Sequence, residues 1–139
     1  MPKKKILIIT HKLKNKIDNK NLYAGNDYLI AELLRKKFQI KIYEYSLLNS
    51  LINLNKEIIK FSDSTQPDII LFFDLESKPI LKNDTIKYLS ESFYLVNLCM
   101  DSDLYISNNN FYNQYMDYIL TNSPDTFKSL FLKEDLLYF

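Results

Sequence analysis

Asp101 and Asp103 stand two residues apart where the apolar run "YLVNLCM" (Tyr94–Met100) gives way to the polar "DSDLYISNNN". In a continuing β conformation, residues two apart share one face, so both carboxylates would project to the same side. A carboxylate at a strand end can take a proton from a hydroxyl or orient it. The competing role is plainer: aspartate ends strands and caps turns. Two carboxylates alone form a poor donor set for a divalent cation, and no histidine or third acid stands beside them, so no metal is expected. His11, the single histidine, follows the first apolar run. Its near-neutral pKa would serve proton transfer or a hydrogen bond to a bound ligand, unless it is an exposed loop residue. Asp74 and Glu76 follow the third apolar run and could line the same cleft or form an acidic turn. Gly25, the single glycine, opens a helical pattern. There it would let a phosphate approach the backbone N–H groups, or would act as an N-cap.

The elements that would position these residues are legible. Five β-rich runs recur: "KILIIT" (Lys5–Thr10), "IKIYEYS" (Ile40–Ser46), "DIILFFD" (Asp68–Asp74), "YLVNLCM" and "DYILTNS" (Asp117–Ser123). The first and third are continuously apolar, as expected of parallel strands covered on both faces. Helical patterns alternate with the runs. Gly25–Phe38 gathers Leu29, Ile30, Leu33 and Leu34 on one face, residues 47–61 repeat the logic, and a weaker helix follows Asp84. A last helix starts at "SPDTF", with Ser123 as cap, Pro124 at the first position and Asp125 at the positive end. Strands alternating with helices predict a single doubly wound, Rossmann-like α/β domain over residues 1–139. Its expected form is five parallel strands in the order 3-2-1-4-5, with helices on both faces and a cleft at the loops after Thr10, Asp74 and Met100. Tyr105, Phe111, Tyr112 and Tyr115 are expected to pack a short helix onto the core rather than to form an apolar platform for a ligand.

Composition narrows the classes. One cysteine among 139 residues permits no internal disulfide and no thiolate cluster, and fits a reducing cytoplasm. No run approaches the roughly 20 apolar residues of a spanning helix. Net charge is +1, but residues 1–60 hold 13 Lys/Arg against 5 Asp/Glu and residues 61–139 hold 5 against 12. That asymmetry is read as many solvated lysine faces, with at most a peripheral membrane contact; nucleic acid is not an expected partner. One glycine excludes both the G-x-G-x-x-G turn and the Walker loop, which need several. A phosphoacceptor receiver domain would use Asp74, but "ITHK" supplies no acidic pair and "LTNS" no lysine.

In order and spacing these pieces resemble the N-terminal domain of a GT-B glycosyltransferase, of the broad family-four type or the related spore-maturation-protein-like group. "KKILIITH" is similar to the opening strand, and "AGNDYLIAELLRKKFQIKIYEYS" to the glycine-led helix with strand two. "QPDIILFFD" is similar to the Pro-Asp third strand, "LVNLCMDSD" to the fourth, and "YMDYILTNSPDTFKSLF" to the fifth with its helix. The sequence departs from the pattern where Met100 replaces the usual histidine and where Gly25 stands without a second glycine. The resemblance implies a domain that binds the acceptor of a cell-surface polysaccharide or glycolipid. Asp101 and His11 would be catalytic, and Gly25, Asp103 and Asp74 would bind acceptor or phosphate. It implies no cofactor in this chain: a nucleotide sugar is the donor substrate, held by a second domain outside these residues, and the isolated chain would be inactive. The other expectation is a stand-alone, non-enzymatic interaction or ligand-binding module on the same scaffold. The apolar segment Phe131–Phe139 is expected to fold back on the sheet edge or to drive self-association.

Overall fold

The computed structural model describes residues 2–11, 34–45, 50–73, 80–99, 110–121 and 136–138. Six strands pair in one all-parallel sheet: β1 (Lys5–His11), β2 (Gln39–Tyr45), β3 (Ile69–Phe73), β4 (Tyr94–Cys99), β5 (Tyr118–Thr121) and β6 (Leu136–Tyr138). Between them run helix α1 (Leu51–Thr65), helix α2 (Asn83–Ser92) and a 3₁₀ helix (Asn110–Tyr115). The fold is the doubly wound α/β class expected from the alternation of elements.

The strand order is corrected. It is β2-β1-β3-β4-β5-β6, not 3-2-1-4-5, so β3 rather than β4 lies beside β1. The reason lies in the faces each strand can bury. In β1, Ile6 to Ile9 are buried side by side, and in β3 so are Ile70 to Phe73. Such strands need cover on both faces and a neighbour on each side. By contrast β2 alternates: Gln39 and Lys41 are exposed while Ile40 and Ile42 are half-buried. It therefore belongs at the sheet edge, and the chain crosses behind β1 through α1 before pairing β3.

Two apolar layers flank the sheet. One face carries Leu7, Ile9, Ile70, Phe72, Leu95 and Ile119, packed under Leu54 and Ile58 of α1 and Ile86 and Leu89 of α2. The other carries Ile6, Ile8, Leu71, Phe73 and Leu98, packed against Leu34 and Phe38 at the end of the connection from β1 to β2. The helical patterns expected at Gly25–Phe38 and after Ser123 lie outside the described residues, apart from that last turn. Among the described residues no helix is long and apolar enough to cross a membrane.

The amino edge of the sheet is held by one device used twice. The Asp68 N–H donates to the Lys5 carbonyl (2.9 Å) while its carboxylate accepts from the Lys5 N–H (2.7 Å). Likewise the Asp117 N–H donates to the Leu95 carbonyl and its carboxylate accepts from the Leu95 N–H, both at 2.8 Å. Each aspartate stands just before its own strand and ties both polar groups of one neighbouring residue, which fixes register at the first rung. Helix α1 is capped by Ser50, whose Oγ accepts from the Asn53 N–H (3.2 Å), and ends at Gln66 in a left-handed conformation (φ 46).

The C-terminal segment folds back on the sheet edge, with Ile119, Leu120 and Thr121 of β5 in register with Leu136, Leu137 and Tyr138 of β6. β6 replaces β5 as the outermost strand, and so short an edge, three residues long, is a poorer template for association than an exposed β5. A chain lacking residues 136–139 should therefore self-associate with rising concentration in sedimentation experiments while the full chain does not. Identical behaviour of the two would show that β6 has no such protective role.

Candidate functional site

Parallel strands place all their carboxyl ends at one edge, and that edge is built here by the ends of β1, β3 and β4. The connection leaving β1 returns over the second face, where Leu34 and Phe38 pack. The connection leaving β3 returns through α2 over the first. Adjacent strands whose connections part to opposite faces open a crevice at their carboxyl ends, where ligands of such sheets bind. The switch point therefore falls between the carboxyl ends of β1 and β3, beside buried Thr10 and Phe73.

Of the residues singled out from sequence, His11 is the last of β1, its backbone in register with Tyr45. Asp74, which succeeds Phe73 in sequence, lies outside the described residues, as do Glu76, Gly25, Asp101 and Asp103. The strand order changes their expected grouping. Neighbouring strands are about 4.8 Å apart, so the end of β1 is one spacing from the strand that precedes Asp74 and two, about 10 Å, from the strand that precedes Asp101.

No protein-family model matches this chain, and no curated protein is significantly similar to it.

Sequence reasoning missed the polar groups that hold the rim of this edge. Asn55 of α1 is buried with every side-chain atom engaged. Its Nδ2 donates to the carbonyls of Leu51 (2.7 Å) and Ile80 (2.8 Å), and its Oδ1 accepts from the Lys82 N–H (2.9 Å). The Tyr112 hydroxyl donates to the Leu81 carbonyl at 2.6 Å. Tyr112 is thus a core residue, as expected, and Tyr115 packs half-buried against the same cluster. The signal for Asn55 was available: it sits with Leu54, Ile58 and Ser62 on the buried stripe of α1, where a polar side chain is costly unless it is bonded.

A cavity of about 330 Å³ opens on the second face, lined by Ile6, Leu34, Phe38, Ile69, Leu71, Val96, Leu98 and Leu120. Among the described residues no polar side chain lines it, and these residues offer nothing to orient a sugar or phosphate. Among the described residues no group of three His, Cys, Asp or Glu could hold a metal ion.

Ionisation of the described residues is perturbed at tyrosines. Burial, then the hydrogen bond and charge of Glu57, pushes the Tyr43 phenol well above its ordinary range. Burial also raises Tyr112. In both, the fold prefers the neutral phenol, so their contribution to stability is complete below the unfolded value of about 10 and is lost as pH rises through the higher folded values. Unfolding free energy in urea should be level from pH 7 to 9 and fall above about pH 10. The doubly substituted Tyr43→Phe, Tyr112→Phe chain should show a shallower fall, and an equal fall would contradict the assignment.

Proposed function

We propose that this chain is the acceptor-binding, N-terminal domain of a nucleotide-sugar-dependent glycosyltransferase acting on a cell-surface polysaccharide or glycolipid. The observation that carries the reading is the strand order taken with the motif order. The order 2-1-3-4-5 of β1 to β5 is a doubly wound, all-parallel winding, and the runs that resemble the transferase motifs follow one another along the chain as its strands one to five. In this sheet the opening strand lies beside the Pro-Asp strand, and the strand that precedes Asp101 is next.

In this reading the acceptor lies over the carboxyl ends of β1, β3 and β4. Asp101 takes the proton of its hydroxyl as the glycosidic bond forms and the nucleoside diphosphate leaves. His11 supplies a hydrogen bond or proton from the β1 end, and Asp74, Asp103 and the Gly25 backbone orient the acceptor or a phosphate. The donor is held by a second domain outside these residues. A peripheral contact with the membrane fits a glycolipid acceptor, with the chain working on the cytoplasmic side.

One observation favours a second reading, a non-enzymatic ligand-binding module. The order 2-1-3-4-5 is also the flavodoxin-like winding, complete in itself. Receiver chemistry on that winding is not supported, since β1 ends on Thr10 and His11 where an acidic pair is needed, and β5 ends on Thr121 with no lysine after it.

Transfer requires donor and acceptor to be oriented together, so the 139-residue chain should bind acceptor yet transfer no sugar from any nucleotide sugar. Transfer or hydrolysis by the chain alone, abolished by Asp101→Asn, would overturn the half-enzyme reading.

A further inference from the structure

Two connections leave the carboxyl edge of the sheet, one after β3 and one after β4, and both return to the fold at the same peptide group. The peptide between Leu81 and Lys82 has its carbonyl held by the Tyr112 hydroxyl (2.6 Å) and its N–H held by Asn55 Oδ1 (2.9 Å). Asn55 Nδ2 also holds the preceding carbonyl, that of Ile80 (2.8 Å). Tyr112 belongs to the 3₁₀ helix by which the chain returns from β4, and Leu81 and Lys82 lead into α2 on the return from β3. Ile80, Leu81, Asn55 and Tyr112 are all at least 94 % buried. The bonds to the Ile80 and Leu81 carbonyls are buried, so water cannot replace them without opening the structure, whereas the Lys82 N–H bond is part-buried; a turn of that one peptide plane breaks the bonds from both sides at once.

We propose that this peptide is a shared anchor, with Asn55 and Tyr112 as positioning residues that return the β3 and β4 connections as one unit. The inference rests on the carboxyl-edge placement of the site, not on the sugar chemistry, and its test needs no ligand.

Amide hydrogen exchange reads it directly, because local opening is reported residue by residue. Tyr112→Phe removes the hydroxyl that bonds the Leu81 carbonyl. Exchange should quicken about tenfold, the factor for one buried hydrogen bond, within the 3₁₀ helix and also at Ile86, whose N–H bonds the Lys82 carbonyl. The hydrogen bonds of Asn55 go to Leu51, Ile80 and Lys82 and not to the 3₁₀ helix, yet Asn55→Ala should quicken exchange at residues 112–116 by a similar factor. If that chain does not fold, Asn55→Asp keeps the acceptor for Lys82, removes the amide donors and makes the same test. The doubly substituted chain should show less than the product of the two single factors, since one opening already breaks both sides. Quickening confined to each residue's own segment, with multiplying factors, would overturn the proposal. So would uniform quickening that includes Ile70–Phe72 in β3, which would mark a general loss of stability.

Discussion

Replacing Phe72 with alanine should remove about 3–5 kcal/mol of stability, against roughly 1–2 kcal/mol for Ile42→Ala. Phe72 is 1 % exposed, and its strand is hydrogen-bonded on both sides, pairing Ile9 of β1 and Asn97 of β4. Its ring sits within the layer formed by Ile9, Ile58 and Ile86, so truncation leaves a cavity that strands on both sides prevent from collapsing. Ile42 is half-buried on edge strand β2, where the surroundings can relax. A domain of this size has only about 5–15 kcal/mol in all, so the first change consumes a large share. Urea unfolding of the two variants measures the contrast. Equal small losses would mean that β3 is not central and that the strand order is wrong.

The other large effect concerns chemistry. In a protein that carries this chain together with a donor-binding domain, Asp101→Asn should lower kcat by about 10²–10⁴-fold, the range for losing a positioned general base. Asparagine keeps the size and polarity of the side chain but cannot accept the hydroxyl proton. Acceptor binding and urea stability should therefore change little. His11→Ala should cost less, because its strand end lies two spacings from that of β4. A lost KM with an unchanged kcat would reassign Asp101 to acceptor binding alone.

The strand positions were legible because apolar runs bounded by polar residues leave little choice: β1, β3 and β4 begin within one residue of the quoted runs. Strand order was less so, since a helix such as α1 can return its chain to either side of β1. The missing clue was the alternation in "QIKIYEY" beside the solid runs "ILII" and "IILFF", which separates an edge strand from central ones. Asp68 and Asp117 were read only as the first residues of their runs. That each one clasps a neighbouring strand depends on pairing, which single-chain patterns do not carry. Asn55 hid in an apolar stripe because its three partners come from its own helix and from a segment 25 to 27 residues away. Four of the five residues put forward for the site follow strand ends or open a helix outside the described residues; only His11 falls within them, as the end of β1.

The central claim, that carbohydrate binds over the carboxyl ends of β1, β3 and β4, is tested most directly by amide chemical-shift mapping. The ¹⁵N-labelled chain would be titrated with a panel of mono- and disaccharide glycosides. The account predicts that at least one glycoside shifts the amides of Thr10, His11, Phe73, Leu98 and Cys99 and leaves Lys5, Asp68, Leu95 and Asp117 at the opposite edge unmoved. Shifts gathered at the amino edge, or no response to any glycoside, would contradict it.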